Sequence, residues 1–244
     1  LRTDASGNSL PPNTSLSPNS KPVIIRRLPD NRYMVVSLHQ GVLKDTLEIA
    51  RYLSNGNPDP TYTNFTMPFE NGYFTGDYPF VPFDLIVLHD HSILLSTSEY
   101  DIPNFVYANK ILKLTPGGTV DLNFGTNGVV TPGLDVAVKF TNSPGNIVLK
   151  YENIAMLEDQ YGRIYVGGNK NQHKCLTRYS SSGIFDAAYG YNLSADTGSI
   201  SKLVLDYSGD ILAFGNNKVF NATYNAYYYT GWFIRKFHED GSLN

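Results

Sequence analysis

A chain of 244 residues with a formal net charge of −3 and only 17% charged residues lacks the basic surface that nucleic acid or an anionic membrane requires. No apolar run approaches the roughly 20 residues of a membrane-spanning helix, and the single cysteine, Cys175, rules out an internal disulfide and a zinc ribbon. The 18 Tyr, 13 Phe and 21 Gly instead suit a β-rich protein with wet, adaptable surfaces, long enough for one substantial core or a ring of small ones.

The chain opens at Leu1, not an initiator methionine, and so reads as a mature or excised segment, compatible with a removed export signal. Residues 1–10 look like the second half of a repeat that has no first half. From residue 22 onward the sequence predicts four units, each built from two hairpins. The first hairpins run from 22–28 into 33–36, 84–88 into 93–95, 153–157 into 164–168, and 203–205 into 211–215, each split by an Asp/Asn/Gly turn. Several of these runs are apolar at consecutive positions, as in strands covered on both faces. The second hairpins begin at 47–52, 110–114, 176–179 and 232–237, and each turns at a glycine.

A spacing rule ties the units together. A basic residue precedes a glycine by five positions at Arg2 and Gly7, Arg51 and Gly56, Lys113 and Gly118, Arg178 and Gly183, and Lys236 and Gly241. Three copies continue with Asp59, Asp121 or Asp186 and then Tyr62, Phe124 or Tyr189. From Arg51 onward the basic anchors stand 62, 65 and 58 residues apart. Such a period marks repeated supersecondary units, each too small to bury its apolar face alone. The glycine fits a turn position that needs positive φ, and the Asp is expected to cap backbone N–H groups rather than to do chemistry.

Four strands per unit, four units and no helical periodicity predict an all-β fold: a β-propeller of about four four-stranded blades in one domain. The blades are expected at 22–81, 82–147, 148–197 and 198–244. The N-terminal half-unit, 1–21, is expected to pair with the short fourth blade and close the ring, since open strand edges are a liability. The rival expectation is that the segment comes from a longer array.

The run 112–130 (LKLTPGGTVDLNFGTNGVV) resembles the end of a delta-60 repeat, a bacterial propeller-type repeat, and 162–168 and 209–215 are similar to that repeat's first half. The first unit departs from the pattern, with Asn31 and Arg32 in place of an aspartate-glycine pair and Thr63 where a glycine would follow the aromatic. The resemblance implies a secreted or surface-located bacterial protein but no particular activity.

Function is expected on one face of the disc. The distance from the second-strand start to the basic anchor is 18, 20, 14 and 25 residues in the four units, so the loops there vary while the tight turns do not. These loops are rich in Tyr and Asn, a mixture of flat contact area and adaptable hydrogen bonding that suits sugars or protein surfaces. The candidate binding residues are Tyr100, Phe105, Asn221, Tyr227, Tyr228, Tyr229 and Trp232. The leading expectation is a non-catalytic recognition or adhesion module of a bacterial surface or secreted protein, with a glycan or cell-surface protein as partner and neither nucleic acid nor an inserted membrane. One alternative is a structural domain that oligomerises. Another is a carbohydrate-active hydrolase or lyase whose channel carboxylates converge. No cofactor, metal ligand set, nucleophile elbow or phosphate loop is indicated. His89, Asp90 and His91 read as a solvated turn, with metal binding as the minor alternative. Cys175 reads as a buried thiol.

Overall fold

The structure, a computed structural model, describes residues 20–39, 44–70, 84–101, 106–135, 137–143, 146–151, 154–223 and 225–243. Among them it is all-β, with sheets of mainly antiparallel strands and no helix. The chain divides into two compact units, residues 1–79 with 117–119, and residues 80–116 with 120–244. The expected ring closure falls on residues 1–19, which lie outside the described residues.

The first unit holds the first repeat. Strands β1 (Ser20–Arg27), β2 (Tyr33–His39), β3 (Lys44–Tyr52) and β4 (Phe65–Glu70) pair in sequence order as an antiparallel meander. Alternation puts Met34, Val36, Leu47 and Ile49 inside, each at most 1% exposed. Burying side chains of this size stabilises by about 1.5–3 kcal/mol apiece.

In the second unit, β5 (Asp84–Val87), β6 (Ile93–Asp101), β7 (Val106–Leu114) and β8 (Val129–Val130) repeat that meander. A hairpin that the repeat reading did not foresee follows, β9 (Ala137–Ser143) with β10 (Asn146–Tyr151). The remaining strands are β11 (Ala155–Glu158), β12 (Ile164–Lys170), β13 (His173–Tyr179), β14 (Tyr191–Leu205), β15 (Ile211–Asn221) and β16 (Ala226–Phe237). Together with β9 and β10 they form one eight-stranded sheet in the order β10-β9-β16-β15-β14-β13-β12-β11, in which β9 and β16 pair parallel.

Strand β14 serves two repeats. Its residues from Tyr191 to Thr197 pair with β13, and those from Gly198 to Leu205 pair with β15. The fourth strand of one repeat thus runs without a loop into the first strand of the next. Two apolar clusters lie on either side of the third repeat. Leu94, Ile111 and Phe124 of the second repeat pack with Ile154, Met156, Ile164, Val166, Cys175 and Tyr179 of the third. Tyr165, Leu176 and Tyr189 of the third pack with Leu203, Ile211, Ala213 and Phe237 of the fourth. Cys175 is fully buried, and burial pushes its thiol up to about 12. It is therefore expected to resist a thiol-specific reagent in the native protein and to react only once denaturant opens the core; labelling at the native rate of a free thiol would refute this.

The turns repeat a single bonding pattern. At 28–32, 88–92, 159–163 and 206–210 the opening residue donates its N–H to the carbonyl four residues on and accepts from the N–H three residues on. That third residue is left-handed at Asn31, His91, Gly162 and Gly209 (φ 67°, 64°, 74° and 85°). The second hairpins use Gly56, Gly118, Gly183 and Gly241 at φ 82°, 92°, 78° and 88°, as the spacing predicts. His91 is thus a turn residue. His89, beside it, donates its backbone N–H to Glu158 Oε2 at 2.7 Å and sets its Nδ1 2.9 Å from the same carboxylate oxygen. Among the described residues no three His, Cys, Asp or Glu side chains gather as a metal site would need.

Candidate recognition surface

The chemistry that recurs between the first three repeats is structural. Arg51 Nε donates to Asp59 Oδ2 at 2.7 Å, Lys113 Nζ lies 3.4 Å from Asp121 Oδ2, and Arg178 Nη2 donates to Asp186 Oδ2 at 2.6 Å. The same cations sit over the repeat aromatics, Arg51 over Tyr62 at 4.7 Å, Lys113 over Phe124 at 5.8 Å and Arg178 over Tyr189 at 4.5 Å. Each Asp also accepts backbone N–H groups of its turn, from Thr61, Asn123 or Ala188. The capping role expected of these residues is present, joined by an ion pair that the spacing alone did not reveal.

Carboxylates elsewhere are tied down in a similar way. Asp196 pairs with Arg235, Asp159 with Arg163, and Asp206 and Asp210 both meet Lys236 Nζ, at 2.7 and 2.8 Å. For Asp206 and Asp210 the hydrogen bond from Lys236 is the main cause that lowers the carboxyl below its ordinary value. Asp206 and Asp210, held ionised by Lys236, lack the raised pKa that a general acid in glycoside hydrolysis needs.

The longest second-to-third connection, in the fourth repeat, was expected to be a loop. It is strand instead. The alternating residues of 211–221 and 226–237 extend the hairpin in register from the pair Ile211 and Phe237 to the pair Asn221 and Ala226, with one bulge after Asn217. Asn221 sits at the tip, where its Oδ1 accepts the Thr223 N–H at 2.9 Å and Asn225 takes φ 47°. Its amide therefore shapes the turn.

Strand alternation sorts the three tyrosines. Tyr227 and Tyr229 share a face, opposite Phe220 and Lys218, whereas Tyr228 stands opposite Val219 on the other. Phe220 and Tyr227 rings lie 5.3 Å apart, and Phe220 and Tyr229 are part exposed at 49% and 38%. Trp232 lies beyond the bulge, opposite Asn216, with its carbonyl accepting from Asn217 Nδ2 at 3.3 Å. It is 89% exposed. Tyr100 belongs to a different sheet, in β6 opposite Tyr107 of β7, and Phe105 lies outside the described residues. The hairpin therefore gathers Asn221, Tyr227, Tyr229 and Phe220, sets Tyr228 on its reverse, and leaves Trp232 on a separate stretch.

Sequence reading missed a buried polar chain beside this hairpin. Lys218 is 2% exposed although it stands between aromatic positions. With its amide oriented to suit both neighbours, Asn169 accepts from Lys218 Nζ at 3.1 Å and donates to Asp135 Oδ2 at 2.7 Å. Asn109 Nδ2 donates to the Asp135 carbonyl at 3.1 Å. The only sequence signal for this chain was a lysine and asparagines in otherwise apolar strands, and their partners are too distant in sequence to pair by spacing.

No known protein-family model matches the sequence, and no curated protein is significantly similar to it.

Proposed function

We propose that the chain is a non-catalytic recognition module of a bacterial surface or secreted protein, a β-propeller of delta-60-type repeats that binds a glycan or a protein through the fourth-repeat hairpin. The observation that carries this reading is the overlong hairpin of β15 and β16, which extends past the repeat's common length and presents Phe220, Tyr227 and Tyr229 on one face with Asn221 at its tip. Flat rings offer faces to sugar C–H groups or apolar side chains at low entropic cost. The propeller reading is supported by four equivalent turn pairs and by the back-to-front packing of successive repeats in the second unit. The carboxylates held ionised by lysine and arginine partners favour binding over hydrolysis.

The test is a glycan array and a screen of surface-protein ligands, followed by affinity measurements on variants. Tyr227→Ala with Tyr229→Ala removes both rings from one face and is expected to weaken binding by about 2 kcal/mol or more, roughly 30-fold. Tyr228→Ala, on the reverse face, is expected to leave affinity unchanged. A ligand that binds the double variant as tightly as the native chain would remove this hairpin from the account.

A further inference from the structure

A lysine is almost never fully buried without a partner, and Lys218 of β15 is 2% exposed. Its Nζ lies 3.1 Å from the side-chain oxygen of Asn169 in β12, a residue with no exposed surface. The Asn169 side-chain nitrogen donates to Asp135 Oδ2 at 2.7 Å. Amine, amide and carboxylate therefore stand in one line, brought from three separate stretches of the chain and all within the second unit.

Other contacts hold the three in place. The Asp135 backbone N–H donates to the Asn169 carbonyl at 2.8 Å, which clips the carboxylate's own segment to β12. Asp135 Oδ2 also accepts from the Gln172 N–H at 3.1 Å, and its carbonyl accepts from Asn109 Nδ2 at 3.1 Å. Gly168, next to Asn169, makes room for this approach. A Cβ there would lie 3.0 Å from Leu134 Cδ1 and 3.3 Å from Ile154 Cγ2. On the other side, Lys218 follows the bulge after Asn217, a device that re-aims side chains, and its carbonyl accepts from Thr197 Oγ1. A carboxylate set directly against the lysine would neutralise it more simply. The amide interposed between the two charges is what attack by an amine requires.

We propose that Lys218 and Asn169 join in an isopeptide bond that the folded chain forms by itself, with Asp135 carrying the proton. One proton first passes from the Lys218 ammonium to the Asp135 carboxylate along the amide between them. This leaves a neutral amine and a carboxylic acid, and the loss of charge suits a lysine shut off from water. The Nζ lone pair then bonds to Asn169 Cγ, and the carbonyl electron pair moves onto the oxygen. Asp135 returns its proton to Nδ2, to which it is already hydrogen-bonded, and takes one from Nζ. The carbonyl re-forms, the Cγ–Nδ2 bond breaks, and ammonia leaves with the proton that Asp135 holds, as ammonium. One lysine charge is exchanged for one ammonium ion, and no oxidant, reductant or second substrate enters. Holding the amine against the amide is equivalent to an effective concentration of about 10⁵–10⁸ M, and a positioned proton carrier adds about 10²–10⁴-fold. The bond closes about 50 residues into a covalent loop and ties β12 of the third repeat to β15 at the base of the long hairpin. It does not depend on redox state, and a chain with one cysteine has no internal disulfide to serve instead. Nor does it depend on what the hairpin tip binds.

The test is the mass of the intact chain, read in denaturant after purification of the native protein. The chain is expected to be lighter than its sequence by one ammonia. Trypsin is expected to release a branched peptide that joins Ile164–Lys170 to Leu203–Arg235 through Asn169 and Lys218. Chain produced unfolded and held in urea is expected at full mass, losing ammonia only after refolding. Lys218→Arg keeps the cation without the amine, and Asp135→Asn keeps the acceptor without the acid. Both are expected at full mass, with circular dichroism matching the native chain. Full mass in the folded native chain after prolonged incubation would overturn the proposal, whether or not the variants fold. So would loss of ammonia from Lys218→Arg, or loss without the branched peptide, which is the result of cyclisation at an Asn-Gly pair such as Asn127 and Gly128. Cross-linking of Asp135→Asn at the native rate would overturn the role given to Asp135.

Discussion

Asp59→Asn is expected to destabilise the first unit by about 3 kcal/mol at neutral pH, the scale for breaking a buried ion pair by removing one partner. The carboxylate accepts from Arg51 Nε at 2.7 Å, Arg32 Nη1 at 2.9 Å, and Thr61 Oγ1 and N–H at 2.7 and 2.9 Å. Burial alone would raise its pKa, but the Thr61 donors and the two guanidinium groups outweigh burial and hold the carboxyl well below its ordinary value. The folded value therefore lies below the unfolded one, near 3.9. The stabilisation is complete above the unfolded value and is lost as pH falls through the folded one. Urea melts followed by circular dichroism should show the gap between native chain and variant widest at neutral pH and shrinking steadily below about pH 4. A gap that stays constant into strong acid would mean that the charge on Asp59 contributes nothing.

Gly183→Ala should be comparably severe, for a different reason. Gly183 has φ 78°, and an added Cβ would lie 2.8 Å from Val130 Cγ2 and 2.9 Å from both the Gly125 nitrogen and Phe124 Cε2. The Gly125 nitrogen is fixed by its own hydrogen bond to the Ser182 carbonyl, at 2.8 Å. Left-handed strain of about 1–2 kcal/mol then adds to overpacking of about 1–3 kcal/mol. Gly209 separates the two contributions. It has φ 85°, yet its nearest neighbour to an added Cβ is Gln160 Nε2 at 4.0 Å. Gly209→Ala should therefore lose only the strain. Equal losses at the two sites, measured by denaturant melts, would show that the turn of the third repeat does not depend on close packing against the second.

The repeat is legible in the sequence because its signals are local. In the first three repeats the glycine and the basic, acidic and aromatic residues of the second hairpin lie within about a dozen residues of one another, so spacing predicted the glycine turn and the capping Asp, though not the ion pair that joins them. The binding residues were less legible. The stretch from Asn216 to Trp232 was read as loop because of its length and its Asn content, but its side chains alternate and it pairs with itself. That pairing decides which rings can act together, and it separates Tyr228 from Tyr227 and Tyr229, which a list of neighbouring aromatics could not do. The contact of Lys218 with Asn169 was beyond reach because it depends on sheet order.

Strand β14 has a consequence for how the molecule comes apart. Because a single uninterrupted segment gives its first half to one sheet region and its second half to the next, the third and fourth repeats have no hinge at which one could open while the other kept its backbone bonds. Their amide protons should exchange as one cooperative block, the link between neighbours being part of the backbone itself instead of a weak surface contact. Loss of order that starts at the β16 edge would then spread to β11 before it stopped.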